Sequence, residues 1–213
     1  MMTARPYFRT PAPALLAALA VVALAAGCSL SRPAPVKQEY LLEVPSPPPV
    51  AKSQSATLQV RNVTVAAPFR GRSFVYRQTD LRYESDFYTE FVVSPGAMLA
   101  DATARGLEHS RAFARVIPPG SASDGDFVLD AFFDAFYFDV RDAAKPAAEV
   151  SVTYFLSRGD PAANVPFWSK QYRRRVPVDG ASTEKQAAAL SAAFAEIVGE
   201  LATDLAALNL AKP

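Results

Sequence analysis

The chain has 213 residues, half of them hydrophobic and a fifth charged, with a formal net charge of +1. That length holds one domain with a substantial core in addition to a targeting segment. Arg5 and Arg9 lie in a stretch expected to be removed, which leaves 20 basic against 21 acidic residues, a balance that excludes any general pull toward nucleic acid or an anionic surface.

Residues 1–28 read in three parts. Arg5 and Arg9 make a positive start, 11–26 is an unbroken stretch dominated by Ala, Leu and Val, and Gly27-Cys28 closes it. An apolar run this short, with small residues at its end, is a secretory leader rather than a spanning helix; an amino-terminal transmembrane anchor is the alternative. Cys28 is the single cysteine, so a secreted chain could form no internal disulfide and the thiol needs another purpose. Leu24-Ala25-Ala26-Gly27-Cys28 resembles the bacterial lipobox, with Ala25 where Leu is usual and Leu24 one place earlier. That resemblance implies that Cys28 is acylated and becomes the first mature residue. Each buried methylene contributes about 0.8 kcal/mol and one chain alone holds marginally, whereas several palmitate-like chains on one cysteine give stable attachment. Ser29 stands where inner-membrane lipoproteins of the enteric type carry Asp, which implies the outer membrane with the domain facing the periplasm.

The expected organisation is a leader over 1–27, a lipidated tether over 28–38 and one domain over 39–213. Tyr40-Leu41-Leu42-Glu43-Val44 is apolar enough for a strand, and the proline run 45–49 makes a stiff, extended connection. From Thr57 the chain is strand-like, with Leu58, Val60, Val63 and Val65 among polar residues. A turn over 68–72 separates it from Phe74-Val75-Tyr76 and from an aromatic-rich extended segment, 81–93. Ser94-Pro95 starts a helix that runs to about Arg111 and buries Leu99, Ala102 and Gly106. Residues 113–117 return to the sheet. Three more strands are predicted over 127–140, 150–157 and 168–178. Thr183 and Gln186 fit a capping box at the head of a last helix, in which Leu190, Phe194, Ile197, Leu201, Leu205 and Leu208 recur at helical spacing.

The 127–140 strand has two different faces. Strict alternation puts Phe127, Leu129, Ala131, Phe133, Ala135 and Tyr137 on a core face, and Val128, Asp130, Phe132, Asp134, Phe136, Phe138 and Val140 on the other. Phe132, Phe136 and Phe138 are therefore a candidate contact surface for another subunit or a lipid. Helices covering both faces are the plainer alternative. Asp130 and Asp134 lie about 13 Å apart along a strand, too far for the roughly 5–9.5 Å of paired glycosidase carboxylates.

Catalytic sets are missing. His109 is the single histidine and falls near the end of the first helix, where an exposed or dipole-stabilised imidazole is expected. There is no nucleophile elbow, phosphate loop or dinucleotide fingerprint, no plausible metal set and no sign of a cofactor. Arg173-Arg174-Arg175 alternates along a strand and cannot face one ligand; pairing with Asp130 or Asp134 is the expectation.

Several segments in order resemble the ABC-type transport auxiliary lipoprotein family, which includes the PqiC-like lipoproteins. They are the lipobox at Cys28, Tyr40-Leu41-Leu42, Val60-Arg61-Asn62-Val63 and the run from Pro68-Phe69-Arg70-Gly71-Arg72 through Ser73-Phe74-Val75-Tyr76-Arg77. An aromatic segment and a helix ending in Ser110-Arg111-Ala112-Phe113 follow. The resemblance implies a single α+β domain with a curved, mostly antiparallel sheet and two main helices, similar to the amino-terminal domain of TolB. It implies a non-catalytic partner of a mammalian-cell-entry (MCE) domain protein in intermembrane lipid transport, held in the outer membrane by its acyl anchor and assembled as a ring-like homo-oligomer. A structural lipoprotein that assists outer-membrane protein or envelope assembly has the same anchor and fold, and an envelope hydrolase is the remaining class.

Overall fold

The apolar strand expected over 127–140 is the spine of the fold. The computed structural model describes residues 36–160, 165–180 and 182–210; the leader and Cys28 lie outside them. In chain order the elements are β1 (Gln38–Tyr40), β2 (Gln54–Val65), a short 3-10 turn (Ala67–Phe69), β3 (Ser73–Arg77), β4 (Tyr83–Phe91), α1 (Pro95–Ser110), β5 (Phe113–Ile117), β6 (Phe127–Asp139), β7 (Ala147–Arg158), β8 (Trp168–Pro177) and α2 (Thr183–Ala207).

β6 is paired along both edges. β7 runs antiparallel to it from Phe127↔Arg158 to Asp139↔Ala147, and β8 extends the sheet antiparallel beyond β7. The other edge is shared by two strands in line. β2 runs parallel to the first half of β6, from Leu58↔Phe127 to Val65↔Phe133, and β3 runs parallel to its end, at Tyr76↔Phe138. The Ala66 amide donates to the Phe133 carbonyl at 2.8 Å, and the Val140 amide donates to that of Arg77 at 3.0 Å. β5 pairs outside β2, and β4 then β1 pair outside β3. The sheet is mixed: β6–β7, β7–β8 and β3–β4 are antiparallel and hold most of the paired residues, while the parallel ladders are short.

Both helices lie on one face of this sheet. Ser94 is extended and Pro95 opens α1, although the Ser94 side chain makes no capping bond. Arg111 ends the helix in the left-handed region, at φ 55°. In α2 the cap is Ser182, whose hydroxyl accepts the Lys185 amide. The expected Thr183–Gln186 box does not form because both side chains are used across the structure: the Thr183 and Tyr40 hydroxyls bond one another, and Gln186 accepts from the Tyr76 hydroxyl at 2.9 Å. At the other end the buried Gln54 amide donates to the carbonyls of Leu205, Ala206 and Leu208, satisfying groups a helix end leaves open.

The strand expected over 40–44 is instead Gln38–Tyr40. It ends once Tyr40 has paired with Phe91, and Leu42 then turns into the core. Residues 41–53 run over the outer side of the helix pair as a strap, tied down by amide bonds from Val50 to the Ser110 carbonyl and from Gln54 to that of Ala112, both 2.8 Å. Pro47 packs over Gly106 of α1 and Gly199 of α2, and a Cβ on Gly106 would come within 2.4 Å of Val198 Cγ1. Glycine is required there because the two helices and the strap meet at that point. Gly106→Leu is expected to overpack the contact and cost about 1–3 kcal/mol, read as a lower urea midpoint at unchanged slope. Gly71→Ala meets open space, and its unfolding free energy should stay within about 0.5 kcal/mol of the parent.

Candidate interaction surface

The three phenylalanines read from the sequence do not share a face. The β6–β7 register steps from Phe133↔Val152 to Ala135↔Ser151, which leaves Asp134 as an extra residue, a bulge. Before it, odd-numbered residues face the helices; beyond it, even-numbered ones do. Phe136 and Phe138 therefore turn inward and are 3% and 1% exposed. Phe138 stacks against Phe74 and Tyr76, and Phe136 against Phe91. Phe132, ahead of the bulge, stays outward at 43% exposure, flanked by Thr64 on β2 and Thr153 on β7. The expected surface thus keeps Phe132 and loses Phe136 and Phe138 to the core, and Ala135 and Tyr137 exchange sides with them.

The helix-free face carries an ionic lattice that periodicity alone did not reveal. Asp130 holds another irregularity of the sheet, the β2 bulge between Val60 and Val63. It accepts two bonds from the Arg61 guanidinium, at 2.8 and 3.3 Å, and one from the Asn62 amide at 3.0 Å. Glu149 on β7, buried opposite Tyr137, accepts from Arg173, with Arg175 at 3.9 Å. Asp139 is gripped by Arg141 through two side-chain bonds, at 2.8 and 2.9 Å, and a backbone amide. Arg77 reaches the Tyr137 hydroxyl at 3.5 Å, and Phe69 and Tyr83 pack around the same ring.

The three consecutive arginines alternate as expected, but with other partners. Arg174 faces α2 and pairs with Glu196 and Glu200, beside Lys170 on Glu200 and Asp204. Arg173 and Arg175 face the other way and use Glu149. β7 lies between β6 and β8, so Asp130 and Asp134 are a full strand further away.

A second feature was hidden in the stretch expected to be extended over 81–93. The β3–β4 register steps from Ser73↔Glu90 to Val75↔Ser85, so residues 86–89 of β4 leave the ladder opposite Phe74 alone. Phe87 and Tyr88 project from this excursion, 72% and 43% exposed, with their rings edge to face at 5.1 Å. The only local signal was Asp86, a turn former inside an aromatic-rich run.

Chemically these groups hold rather than react. Desolvation raises the Tyr76 hydroxyl to about 12 and also pushes up those of Tyr137, Tyr154 and Tyr172. Hydrogen bonds from Arg141 hold Asp139 down at about 2, and those from Lys170 lower Glu200. Each shift locks in the protonation state the group already has at neutral pH, the reverse of what a general acid or base requires. His109 is exposed on α1, with Nδ1 2.9 Å from the Arg105 carbonyl. Among the described residues no three His, Cys, Asp or Glu side chains converge as a metal set, and no helix is long and apolar enough to cross a membrane.

A family model described as the ABC-type transport auxiliary lipoprotein component matches residues 40–202. Two solved structures share the fold. Protein XCC0632 from Xanthomonas campestris is 22% identical with a TM-score of 0.69, over 78% of this chain and 93% of that one. An uncharacterized protein is 14% identical with a TM-score of 0.64, over 80% and 99%. At such identities the likeness is one of fold alone. No curated protein matches the chain.

The Asp139 grip gives this face a pH dependence. Its carboxyl is held below the ordinary aspartate range in the folded chain, so its contribution is complete above about pH 4 and is lost as the pH falls toward 2. Asp139→Asn is expected to cost about 1–2 kcal/mol at pH 7, less than the full shift because solvent reaches Arg141. Denaturant titrations of the variant and parent should converge between pH 4 and 2; curves that stay parallel would remove Asp139 as the cause.

Proposed function

The chain belongs to the ABC-type transport auxiliary lipoprotein family, and from that premise we propose that it serves an intermembrane lipid transport system built around an MCE-domain protein. As a family member it is a non-catalytic auxiliary component of an ABC-type transport system, lipid-anchored at the outer membrane with its domain in the periplasm. The observation that carries the proposal is the family match over 40–202, nearly the whole expected domain. The side-chain chemistry agrees with it, since the strongly shifted groups are locked rather than poised.

Within this reading Cys28 is the acylated first residue of the mature chain, 1–27 the leader, 28–38 the tether and 39–213 the transport-auxiliary domain. Sheet curvature, a likeness to the TolB amino-terminal domain and a ring-like homo-oligomer belong to the same reading. Phe132 and the ionic lattice around it are the candidate contact with a protein partner: one exposed ring among fixed charges, on the face the helices leave open. Such a surface suits recognition, where a buried aromatic supplies energy and the charged surround supplies register.

Two measurements test the proposal. Crosslinking in cells followed by affinity capture from detergent extract should recover an MCE-domain protein; recovery of outer-membrane assembly components without one would favour the envelope-assembly role. Cys28→Ser should abolish palmitate labelling and release the chain from the membrane fraction. Unchanged labelling in that variant would remove Cys28 as the anchor.

A further inference from the structure

We propose that the Phe87–Tyr88 excursion of β4 is a lipid contact, which lays the domain against the leaflet that its own acyl chains enter. The proposal rests on the reading of Cys28 as the anchor.

The excursion is built, not frayed. Asp86 Oδ1 accepts the amides of Tyr88 at 2.7 Å and Thr89 at 3.0 Å, closing the loop on itself. Thr89 is buried and pairs with Gln38, so the far end of the loop is fixed to β1. Between these two ties the rings of Phe87 and Tyr88 have no direction left but outward.

Their place in the fold names the occupant. The Lys37 ammonium lies 5.2 Å from the centre of the Phe87 ring, at the point where the domain begins. Eight residues lie between Cys28 and Lys37, and a fully extended chain over those nine steps spans only about 30 Å. A folded chain of this size is about 40 Å across, from a radius of gyration near 16 Å. The tether is therefore shorter than the domain is wide, and the corner at Lys37 stays close to the bilayer. Another exposed aromatic lies farther from the point where the domain begins. Phe167 adjoins β8, five strand spacings from β1 in the sheet, or roughly 24 Å.

The chemistry of the corner suits a headgroup boundary. Phenylalanine and tyrosine rings settle at membrane interfaces, where an apolar body and a wet rim coexist, and a lysine beside them reaches phosphate while its stem stays apolar. The acids nearby are engaged. Glu90 is paired with Lys37 at 3.4 Å and with Arg72 at 3.1 Å, Glu39 with Arg72 at 2.6 Å, and Asp86 with backbone amides. The contact need not be strong, because the acyl anchor already makes it intramolecular. Its effect is orientation.

The test uses the full acylated chain in vesicles of phosphatidylethanolamine and phosphatidylglycerol with brominated acyl chains. Trp168, the single tryptophan, is replaced by Phe, and Phe87→Trp supplies the reporter. The reporter should shift to the blue and lose most of its emission to bromine, whereas Trp168 in the parent chain should be little quenched. A blue shift without quenching means that a second copy or another protein covers the corner, and overturns the proposal. So does an unshifted, unquenched reporter on a chain that floats with the vesicles, an outcome that leaves the anchor intact. A chain that does not float, and takes no palmitate label in cells, removes the anchor and this inference together.

Discussion

β6 must satisfy hydrogen-bonding partners on both edges while presenting one continuous apolar face to the helices, and a strictly alternating strand with this sequence cannot do both. Its aromatic residues change parity: Phe127 and Phe133 are odd, Phe136 and Phe138 even. One extra residue at Asp134 reconciles them by switching the faces halfway along. The first half then packs on the centre of α2 through Phe133 and Phe194, 5.7 Å between ring centres. The second half packs on the aromatic cluster of Phe74, Tyr76 and Phe91. Burying two phenylalanines contributes about 1.5–3 kcal/mol each, more than enough to outweigh a local break in the ladder. The same constraint sets what faces outward, because Tyr137 is brought over Glu149 and Phe132 is left as the one exposed ring of β6.

The carboxylates of the sheet do structural work around these breaks. Asp130 fills the β2 bulge by bonding both the Arg61 guanidinium and the Asn62 amide. Glu149 and Asp139 balance Arg173, Arg175 and Arg141 on the helix-free face. A buried pair of this kind is costly when one partner is removed and of modest net worth when intact, so its main effect is to hold a single register. β8 benefits twice. It is an edge strand, open to pairing with other chains, and it is guarded by Lys170 and Arg174 toward α2 and by Arg173 and Arg175 on the other side.

Elements with local causes were legible in the sequence. Ser94-Pro95 marks the start of α1, Phe113 to Ile117 is a strand to the residue, and the leucine spacing of α2 gives its buried face. What could not be read depends on distant partners. Nothing around Asp134 resembles the glycine of a common bulge; its cause is the β7 register and the cluster contributed by β3 and β4. Thr183 looked like a cap until Tyr40, far away in sequence, claimed its hydroxyl. Phe87 and Tyr88 lay inside a run whose aromatic content argues for strand wherever it occurs. Cys28 is the opposite case: the role proposed for it rests wholly on its neighbours and on its being the single cysteine.

On the proposed reading, the amino-terminal side of the domain takes up the tether. β1 has only three residues, too short to hold by ladder bonds alone, yet on the proposed reading it is the first element to feel the tether. Three attachments reinforce it: parallel pairing with β4, the Tyr40 ring on Phe74 at 5.4 Å, and the Tyr40 hydroxyl on Thr183 at the head of α2. Immediately beyond it the proline strap crosses both helices and is locked at Gly106 and Gly199. On that reading, load applied at Lys37 is shared between β4, α2 and the helix pair, and the long antiparallel ladders of β6, β7 and β8 lie farther from it. On the proposed reading, a domain held in this way could be drawn against a membrane at one corner without loosening β6, which lies three strands in from β1, and the helix-free face would stay ordered.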